Sequence, residues 1–279
     1  MDVDRYDVFI FDCDGVLWKG PSSIAGSFES LQRLHSLGKK LYFLTNNSSK
    51  TPEDLLSQLG SYGYQASPSQ IYCSGISTAL YLKINHPDIK KLYLIGSDQF
   101  RSMLLRYDFE IIHHLDIEPA LLAAPEDITR FAENTPVDAI IVGWDVRFTY
   151  TAGALGSVYI QNGAKFIASN SDAYFPMGKG RDRPGCGAIV GFLEIATNKK
   201  AEIVAKPKTF ILDMIMEESK VPKEKVVMVG DSMETDIRMA FNGGIDSVLV
   251  LSGASQREDL PRYEFSPTHI YENLGGIFN

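Results

Sequence analysis

Apolar runs that stop abruptly at a polar residue are the most regular feature of this chain. Val8–Phe11 runs into Asp12, and Val226–Val229 is followed by Gly230 and Asp231. A short apolar run of this kind is typical of a parallel strand buried on both faces, which delivers the next side chain to the carboxyl edge of the sheet. Segments with helical spacing separate these runs. The pattern therefore predicts an α/β fold, with a parallel sheet covered by helices on both faces.

The same pattern locates individual elements. Phe28, Leu31, Leu34 and Leu37 recur at intervals of three and predict a helix that ends at Gly38. The predicted strands are Val8–Phe11, Lys40–Leu44, Ile71–Cys73, Lys91–Ile95, Ala139–Val142, Lys165–Ala168, Val226–Val229 and Ser247–Leu251.

The spacing of two polar strand ends suggests two domains. Thr45 follows one apolar run and Lys206 follows another, and the long segment between them has strands and helices of its own. We therefore expect a Rossmann-like core built from residues 1–87 and 201–279, with an inserted α/β domain at 88–200. Both expected junctions carry polar or helix-breaking residues, as linkers do.

Composition narrows the classes of partner. The chain has 279 residues and a net charge of −8, which argues against nucleic acid, because a surface that binds phosphates needs an excess of Lys and Arg. No apolar stretch is long enough to cross a membrane. Three cysteines fit neither a disulfide framework nor a zinc site, and Met1–Asp4 lacks the basic start of a signal peptide. We therefore expect a cytoplasmic protein without a membrane partner.

Two carboxylates follow each of these two apolar runs: Asp12 and Asp14 follow Val8–Phe11, and Asp231 and Asp236 follow Val226–Val229. Acids that meet at one sheet edge repel each other unless a hard cation such as Mg²⁺ neutralises them. Asp12 is then a candidate nucleophile and metal ligand, and Asp14 a general acid and base with a raised pKa. Asp231 completes the metal site and Asp236 supports it. Alternatively, the first pair forms an ordinary turn and the second pair favours a helix N-terminus.

Thr45–Asn47 and Lys206 are candidates for binding a phosphoryl group. The Thr45 hydroxyl and the backbone N–H groups of Asn46 and Asn47 can hold phosphate oxygens, and Lys206 adds a positive charge. We expect Pro207 at the first position of a helix, with Lys206 at its N-terminus. Taken singly, these residues are equally consistent with a helix cap and a surface charge.

The order of these elements resembles the haloacid dehalogenase superfamily of phosphohydrolases. Two segments of the inserted domain also resemble its group of p-nitrophenylphosphatases, phosphoglycolate phosphatases and pyridoxal phosphatases. The matching segments are Phe11–Leu17, Leu44–Ser48, Lys206–Pro207, Gly230–Asp236, Ala168–Asp172 and Pro184–Gly187.

The resemblance implies a core with a large α/β cap of the C2 type. It implies Mg²⁺ bound by Asp12, by the backbone carbonyl of Asp14 and by Asp231. It makes Thr45, Asn46, Asn47 and Lys206 the phosphate-binding residues, and it places a substrate contact near Phe175. It also implies a possible homodimer formed through the cap.

The sequence thus predicts a magnesium-dependent phosphatase that hydrolyses small phosphorylated metabolites through an aspartyl-phosphate. p-Nitrophenyl phosphate, phosphoglycolate, pyridoxal phosphate and sugar phosphates all remain open as substrates. One alternative is a phosphotransferase or mutase, in which a sugar hydroxyl replaces water. Another is a switch module that keeps its phospho-aspartate, although the base Asp14 argues against it.

A few other residues allow two interpretations. Cys13 is a redox switch or a small buried filler, and we favour the filler. His113–His114 suggests a metal site, but without a partner acid to complete it we favour solvated histidines. Trp18 is a core residue or a wall of the site. Arg181 and Arg183 either bind a second anionic group of the substrate or pair with neighbouring acids.

Overall fold

The computed structural model describes residues 1–176 and 182–278, and it describes only the backbone of Phe175, Pro176 and Asp182. The chain divides into two compact units. We call the first the core unit; it consists of Met1–Thr45, Pro52–Cys73 and Ala205–Asn279. The second, the cap unit, consists of Asn46–Thr51 and Ser74–Val204.

This division differs from the expected boundaries at residues 87–88 and 200–201. The helix Ser74–Asn85 groups with the cap unit, and the short strand Glu202–Ile203 pairs with the cap sheet. The side chain of Tyr81 on that helix donates a hydrogen bond to Glu202, so both junction segments are held by cap contacts. The breaker residues near Pro87 thus end a helix within the unit.

The elements alternate along the chain as an α/β fold requires. In chain order they are β1 (Val8–Phe11), β2 (Trp18–Lys19), β3 (Ser22–Ser23), α1 (Ser27–Ser36), β4 (Lys40–Thr45), α2 (Pro52–Ser61), β5 (Ile71–Cys73), α3 (Ser74–Asn85), β6 (Lys91–Ile95), α4 (Asp98–Leu105), β7 (Glu110–His113), α5 (Pro125–Asn134), β8 (Ala139–Val142), α6 (Tyr150–Gln161), β9 (Lys165–Ala168), β10 (Tyr174–Pro176), β11 (Asp182–Pro184), α7 (Cys186–Thr197), β12 (Glu202–Ile203), α8 (Phe210–Ser219), β13 (Val226–Gly230), α9 (Arg238–Gly243), β14 (Asp246–Val250) and β15 (His269–Tyr271).

The core unit is built on a parallel sheet with strand order β15-β14-β13-β1-β4-β5. Strand β1 lies in the middle, and Phe11 is in register with Val229 of β13 and Phe43 of β4. The residues that follow these three strands therefore leave the sheet at one edge.

Both faces of β1 are buried, which explains its wholly apolar sequence. On one face, Val8 and Ile10 pack in a cluster with Ile211 and Ile215 of α8. On the other face, the Phe11 ring stacks on the ring of Phe43, with centroids 6.0 Å apart. The predicted α/β class is thus confirmed.

The cap unit has a second parallel sheet, of order β12-β9-β8-β6-β7. Strand β7 lies on one side of β6, and the next strand in the chain, β8, lies on the other side. The strand order therefore reverses between β6 and β8, which is the position where open α/β sheets usually bind ligands. Strands β10 and β11 form a separate antiparallel hairpin.

Short strands account for most of the strands that the sequence pattern missed. The pairs β2–β3 and β10–β11 and the edge strands β12 and β15 have two or three residues each. Among the helices of residues 1–176 and 182–278, none combines the length and the apolar character needed to cross a bilayer.

Candidate active site

Three acids meet at the carboxyl edge of the core sheet. Asp12 follows β1, Asp231 follows β13, and Asp236 lies in a π-helical turn, Met233–Ile237, just beyond. One carboxylate oxygen of each lies within 4.8 Å of the others. All three side chains are buried, with residue exposures of 7%, 7% and 1%. Residues far apart in sequence are thus gathered into one acidic cluster.

Lys206 is buried in the same cluster. Its ammonium Nζ lies 2.5 Å from Oδ1 of Asp12 and 2.7 Å from Oδ1 of Asp236. It also donates a hydrogen bond to the backbone carbonyl of Leu44, at 2.9 Å. Lys206 therefore fixes one oxygen of the candidate nucleophile. The helix α8 begins only at Phe210, so the expectation that Lys206 stands at a helix N-terminus was wrong.

Backbone groups hold Asp231 from several sides. Its Oδ2 accepts a hydrogen bond from the N–H of Ala254, at 2.7 Å. Gly15 and Gly253 pack directly against its carboxylate, and a Cβ atom on either glycine would overlap it. Gly15 also has a φ of 87°, a conformation that side chains rarely adopt. The turn after β1 can approach Asp231 only because these positions lack side chains.

Asp236 is occupied by protein partners. Its Oδ2 accepts hydrogen bonds from the N–H groups of Asp231 and Ser232, both at 3.1 Å, and its Oδ1 pairs with Lys206. It therefore holds the loop that carries Asp231 and anchors the lysine. This arrangement matches a supporting position rather than that of a direct metal ligand.

The electrostatics of the cluster follow from its burial. Burial raises the pKa of Asp231 to about 7, and the charge of Asp236 adds to the effect. The pKa of Asp12 is also raised by burial and by the neighbouring acids, although the charge of Lys206 opposes this. Burial works against the charge of Lys206, but Asp12 and Asp236 outweigh it and raise the lysine pKa.

These residues fit a hard divalent cation. Lys206 pairs with Asp12 and Asp236 but not with Asp231, so the three carboxylates in their ionised form leave excess negative charge beside this ammonium. Carboxylate oxygen is the donor that Mg²⁺ prefers, and an added positive charge would offset both the burial and the repulsion from Asp236 that raise the pKa of Asp231. The acidic cluster is therefore suited to a magnesium ion, with Asp12 and Asp231 available as ligands.

Asp14 is oriented by a residue whose role the sequence left open. The indole Nε1–H of Trp18 donates a hydrogen bond to Oδ1 of Asp14, at 3.0 Å. Trp18 itself is fully buried and stacks on Tyr62. Because an indole N–H can only donate, Oδ1 of Asp14 must accept. The spacing of four residues across a glycine turn is the only sequence signal for this contact.

The candidate phosphate-binding residues fall into two groups. Thr45 ends β4 at the same sheet edge as Asp12 and is buried. Asn46 and Asn47 come next in the chain but belong to the cap unit. There the amide of Asn46 donates to Asp172, at 2.9 Å, and Asn47 accepts from the backbone of Ser49. Their predicted roles stay predictions.

The cap loop that carries Phe175 is described in part. Phe175 lies in β10 opposite Arg183 of β11, but its side chain lies outside the described part of the chain. Arg181 also lies outside the described residues. Arg183 is exposed.

Cys13 and the adjacent histidines His113 and His114 are all buried. Cys13 is buried with 1% exposure, as expected for a small filler. The interpretation of His113 and His114 as solvated was wrong, because both are buried and His114 contacts Asp145. The acid is 31 positions away from His114 in sequence, so no local pattern could reveal it.

Two family models match this chain. A family model described as haloacid dehalogenase-like hydrolase matches residues 9–110, and a related HAD-hydrolase-like model matches residues 203–277.

Similar proteins cover nearly the whole chain. A 4-nitrophenylphosphatase from Schizosaccharomyces pombe is 33% identical over 92% of this chain and 88% of its own length. A chloroplastic phosphoglycolate phosphatase 1A from Arabidopsis thaliana is 35% identical over 91% of this chain and 70% of its own length. The crystal structure of a 4-nitrophenylphosphatase from Thermotoga maritima matches with a TM-score of 0.83 and 29% identity, covering 98% of this chain and 96% of that one.

Proposed function

The chain belongs to the haloacid dehalogenase-like hydrolases, and on this premise we propose that it is a magnesium-dependent phosphatase of small phosphomonoesters. The single observation that supports this most strongly is the buried contact between Lys206 and Asp12. A lysine that fixes one oxygen of a carboxylate beside two further acids suits nucleophilic attack on a phosphoryl group. The names of the similar proteins point to the same reaction.

In the first proposed step, a carboxylate oxygen of Asp12 attacks phosphorus and the bond between phosphorus and the leaving oxygen breaks. Asp14 donates its proton to that oxygen, so the product leaves as an alcohol. Trp18 supports this assignment, since it occupies Oδ1 of Asp14 and thereby directs the proton to Oδ2. The products of the step are the alcohol and an aspartyl-phosphate on Asp12.

In the second step, Asp14, now a carboxylate, takes a proton from water as the water oxygen attacks phosphorus. The bond between phosphorus and the Asp12 oxygen breaks, which releases inorganic phosphate and restores both carboxyl groups. Lys206 stays beside Asp12 in both steps and balances its negative charge whenever the carboxylate is free.

We assign the metal site to Asp12, the backbone carbonyl of Asp14 and Asp231. Bound Mg²⁺ supplies charge neutralisation for the phosphoryl oxygens. Asp236 contributes indirectly, since it holds the backbone of Asp231 and the ammonium of Lys206. We assign phosphate binding to Thr45, Asn46, Asn47 and Lys206, and selection of the substrate to the cap near Phe175.

The substrates that fit this proposal are p-nitrophenyl phosphate and small metabolites of the phosphoglycolate or pyridoxal phosphate type. A phosphotransferase or mutase would use the same residues with a sugar hydroxyl in place of water. A switch module would keep its phosphate, and the contact between Trp18 and Asp14 argues against it, because an oriented base favours rapid hydrolysis.

Steady-state turnover of p-nitrophenyl phosphate tests the proposal. We expect continuous release of inorganic phosphate that stops with EDTA and returns with added Mg²⁺. A single stoichiometric release would instead support the switch, and transfer of phosphate to an added alcohol in preference to water would support the phosphotransferase. A subsequent screen of phosphorylated metabolites would name the substrate.

We propose further that two copies associate through the cap unit. Tyr150 of α6 and Ile195 of α7 are 75% and 86% exposed, and the ring of Phe192 lies beside Tyr150. These three side chains line one surface groove, and a contiguous exposed apolar patch often marks an interface. Sedimentation that shows a dimer for the unaltered protein and a monomer for Ile195→Glu would support the proposal. A monomeric unaltered protein would contradict it.

Cell fractionation would test the expected cytoplasmic location.

A further inference from the structure

A second group of potential metal ligands lies at the carboxyl edge of the cap sheet. His113 ends β7, His114 follows it, and Asp145 comes three residues after β8. One ligand atom from each lies within 4.8 Å of the others. The three residues are buried, with exposures of 0%, 8% and 5%. Strands β7 and β8, at whose carboxyl ends these residues lie, flank β6, next to the point where the order of the cap sheet reverses.

His113 presents an unpartnered nitrogen in this group. Its Nε2 lies 2.7 Å from the backbone carbonyl of Gly96. A carbonyl can only accept, so Nε2 carries the hydrogen and Nδ1 carries the lone pair. This Nδ1 is buried and has no hydrogen-bond partner among the described residues; it faces Oδ1 of Asp98 at 4.0 Å. An imidazole whose other nitrogen donates to a carbonyl is the usual form of a metal-binding histidine.

His114 and Asp145 are spaced as two ligands of one ion can be. Nε2 of His114 lies 3.1 Å from Oδ2 of Asp145. Two donors bound at about 2.0–2.1 Å to a tetrahedral ion stand roughly 3.3 Å apart. Nε2 carries the hydrogen in this contact, because a carboxylate only accepts. Once that hydrogen moves to Nδ1 of the same ring, a small movement would let Nε2 and Oδ2 share a cation.

Arg147 holds the Asp145 carboxylate in place. Its Nε and Nη2 donate to Oδ1 and Oδ2, both at 3.0 Å, and its backbone N–H donates to Oδ1 at 2.8 Å. Arg147 also pairs with Asp98 at 2.9 Å. With both histidines neutral, two carboxylates and one guanidinium leave a net negative charge here. The group therefore has fixed ligands, a supporting shell and the charge to accept a cation.

From these contacts we propose that His113, His114 and Asp145 bind a divalent transition-metal ion of the zinc type within the cap unit. Two imidazoles and one carboxylate favour such an ion over Mg²⁺, which prefers oxygen donors. The site is distinct from the acidic cluster of the core unit, since every ligand lies within the cap unit. The ion would tie the end of β7 to the segment after β8.

Zinc binding to the full-length chain tests the proposal. The core acids can also take Zn²⁺, so the measurement uses the Asp231→Asn background with Mg²⁺ in large excess. We expect this protein to bind one equivalent of Zn²⁺ in competition with a chromophoric chelator. With Co²⁺ as the probe, we expect the visible absorption of a nitrogen-ligated tetrahedral ion. Zn²⁺ should also raise the unfolding temperature.

His113→Gln in the same background removes the proposed ligand while its amide can still donate to the Gly96 carbonyl. We expect it to lose the bound equivalent, the Co²⁺ absorption and the rise in unfolding temperature. His35→Gln, at an exposed histidine of the core unit, should keep all three. His114→Gln provides a second variant if the first does not fold.

Two results would overturn the proposal. If the Asp231→Asn protein binds no Zn²⁺ and gives no Co²⁺ absorption, the three residues form only a hydrogen-bonded network. If the folded His113 or His114 variant keeps the full equivalent of Zn²⁺ and an unchanged Co²⁺ absorption, the ion lies elsewhere in the chain.

Discussion

The core and cap units place buried acids at equivalent positions, yet the acids differ in chemical state. In the core unit, Asp12, Asp231 and Asp236 lie together, Lys206 pairs with the first and the last, and burial raises the pKa of Asp231 to about 7. In the cap unit, burial alone would raise the pKa of Asp145, but hydrogen bonds from His114 and Arg147 lower it. Burial therefore does not by itself make a carboxylate reactive; the balance of nearby cations decides.

The two clusters also differ in the metals that their atoms suit. The core cluster offers carboxylate oxygens with excess negative charge, which favour Mg²⁺. The cap cluster offers two imidazoles and one carboxylate, a donor set that favours an ion such as Zn²⁺. The carboxyl edge of a parallel sheet brings distant residues together in both units, and the residue types then determine the chemistry.

Replacement of the candidate nucleophile Asp12 should have the largest effect, and it tests whether the core cluster catalyses the reaction. We expect Asp12→Asn to lower kcat on p-nitrophenyl phosphate by on the order of 10⁴-fold or more, as removal of a nucleophile that acts with its neighbours usually does. The measurement is steady-state turnover, with circular dichroism as the control for folding. Turnover close to that of the unaltered protein would rule out the aspartyl-phosphate.

The variant Asp14→Asn distinguishes the role of the general acid and base from that of the nucleophile Asp12. We expect a loss of about 10²–10⁴-fold, the usual contribution of general acid–base catalysis. Both steps should slow, and intact-protein mass spectrometry should detect phospho-enzyme after the addition of substrate. An unchanged rate of phosphate release would contradict the role of Asp14.

Opposite pH dependences of stability would sharpen the contrast between the clusters. In metal-free protein, Asp231 holds a proton up to about pH 7 when folded, whereas an unfolded Asp releases it near pH 3.9. Its contribution to the free energy of unfolding should therefore fall as the pH rises through this window, by at most ~1.4 kcal/mol per pH unit. Urea unfolding with EDTA present should show a flatter curve for Asp231→Asn.

Asp145 should behave in the opposite way. Its pKa is lowered in the folded chain, so its contribution is complete above roughly pH 4 and is lost as the pH falls further. Asp145→Asn should flatten the stability curve on the acid side and leave the slope between about pH 4 and 7 in place. Equal slopes for both aspartate variants would remove the electrostatic distinction between the two clusters.

The smallest expected effect concerns Trp18. We expect Trp18→Phe to lower kcat by about 2- to 10-fold on alkyl phosphates, which corresponds to a hydrogen bond worth ~0.5–1.5 kcal/mol. The effect should be weaker on p-nitrophenyl phosphate, because its leaving group needs little protonation. Tyr62→Phe keeps the ring beside Trp18 and serves as the matched control. Equal losses on both substrates would indicate a packing role alone.

Much of the fold could be predicted from the sequence because buried parallel strands need continuous apolar runs. Val8–Phe11 and Ala139–Val142 were located correctly for this reason. The limits of the inserted unit were harder to predict, because Ser74–Asn85 follows β5 without a break and joins the cap unit only through contacts distant in sequence. Two-residue strands such as Trp18–Lys19 give no periodic signal at all.

The sequence by itself determined the α/β class, the acids at the strand ends and the lysine that accompanies them, since each depends on a short local pattern. Only the tertiary structure decided which partners these side chains meet. It brought Lys206 to Asp12, Trp18 to Asp14, and Asp145 to His114. The physical reason is that hydrogen bonds, charge balance and pKa depend on distances across the folded chain, which strand order and packing set and which no stretch of sequence contains.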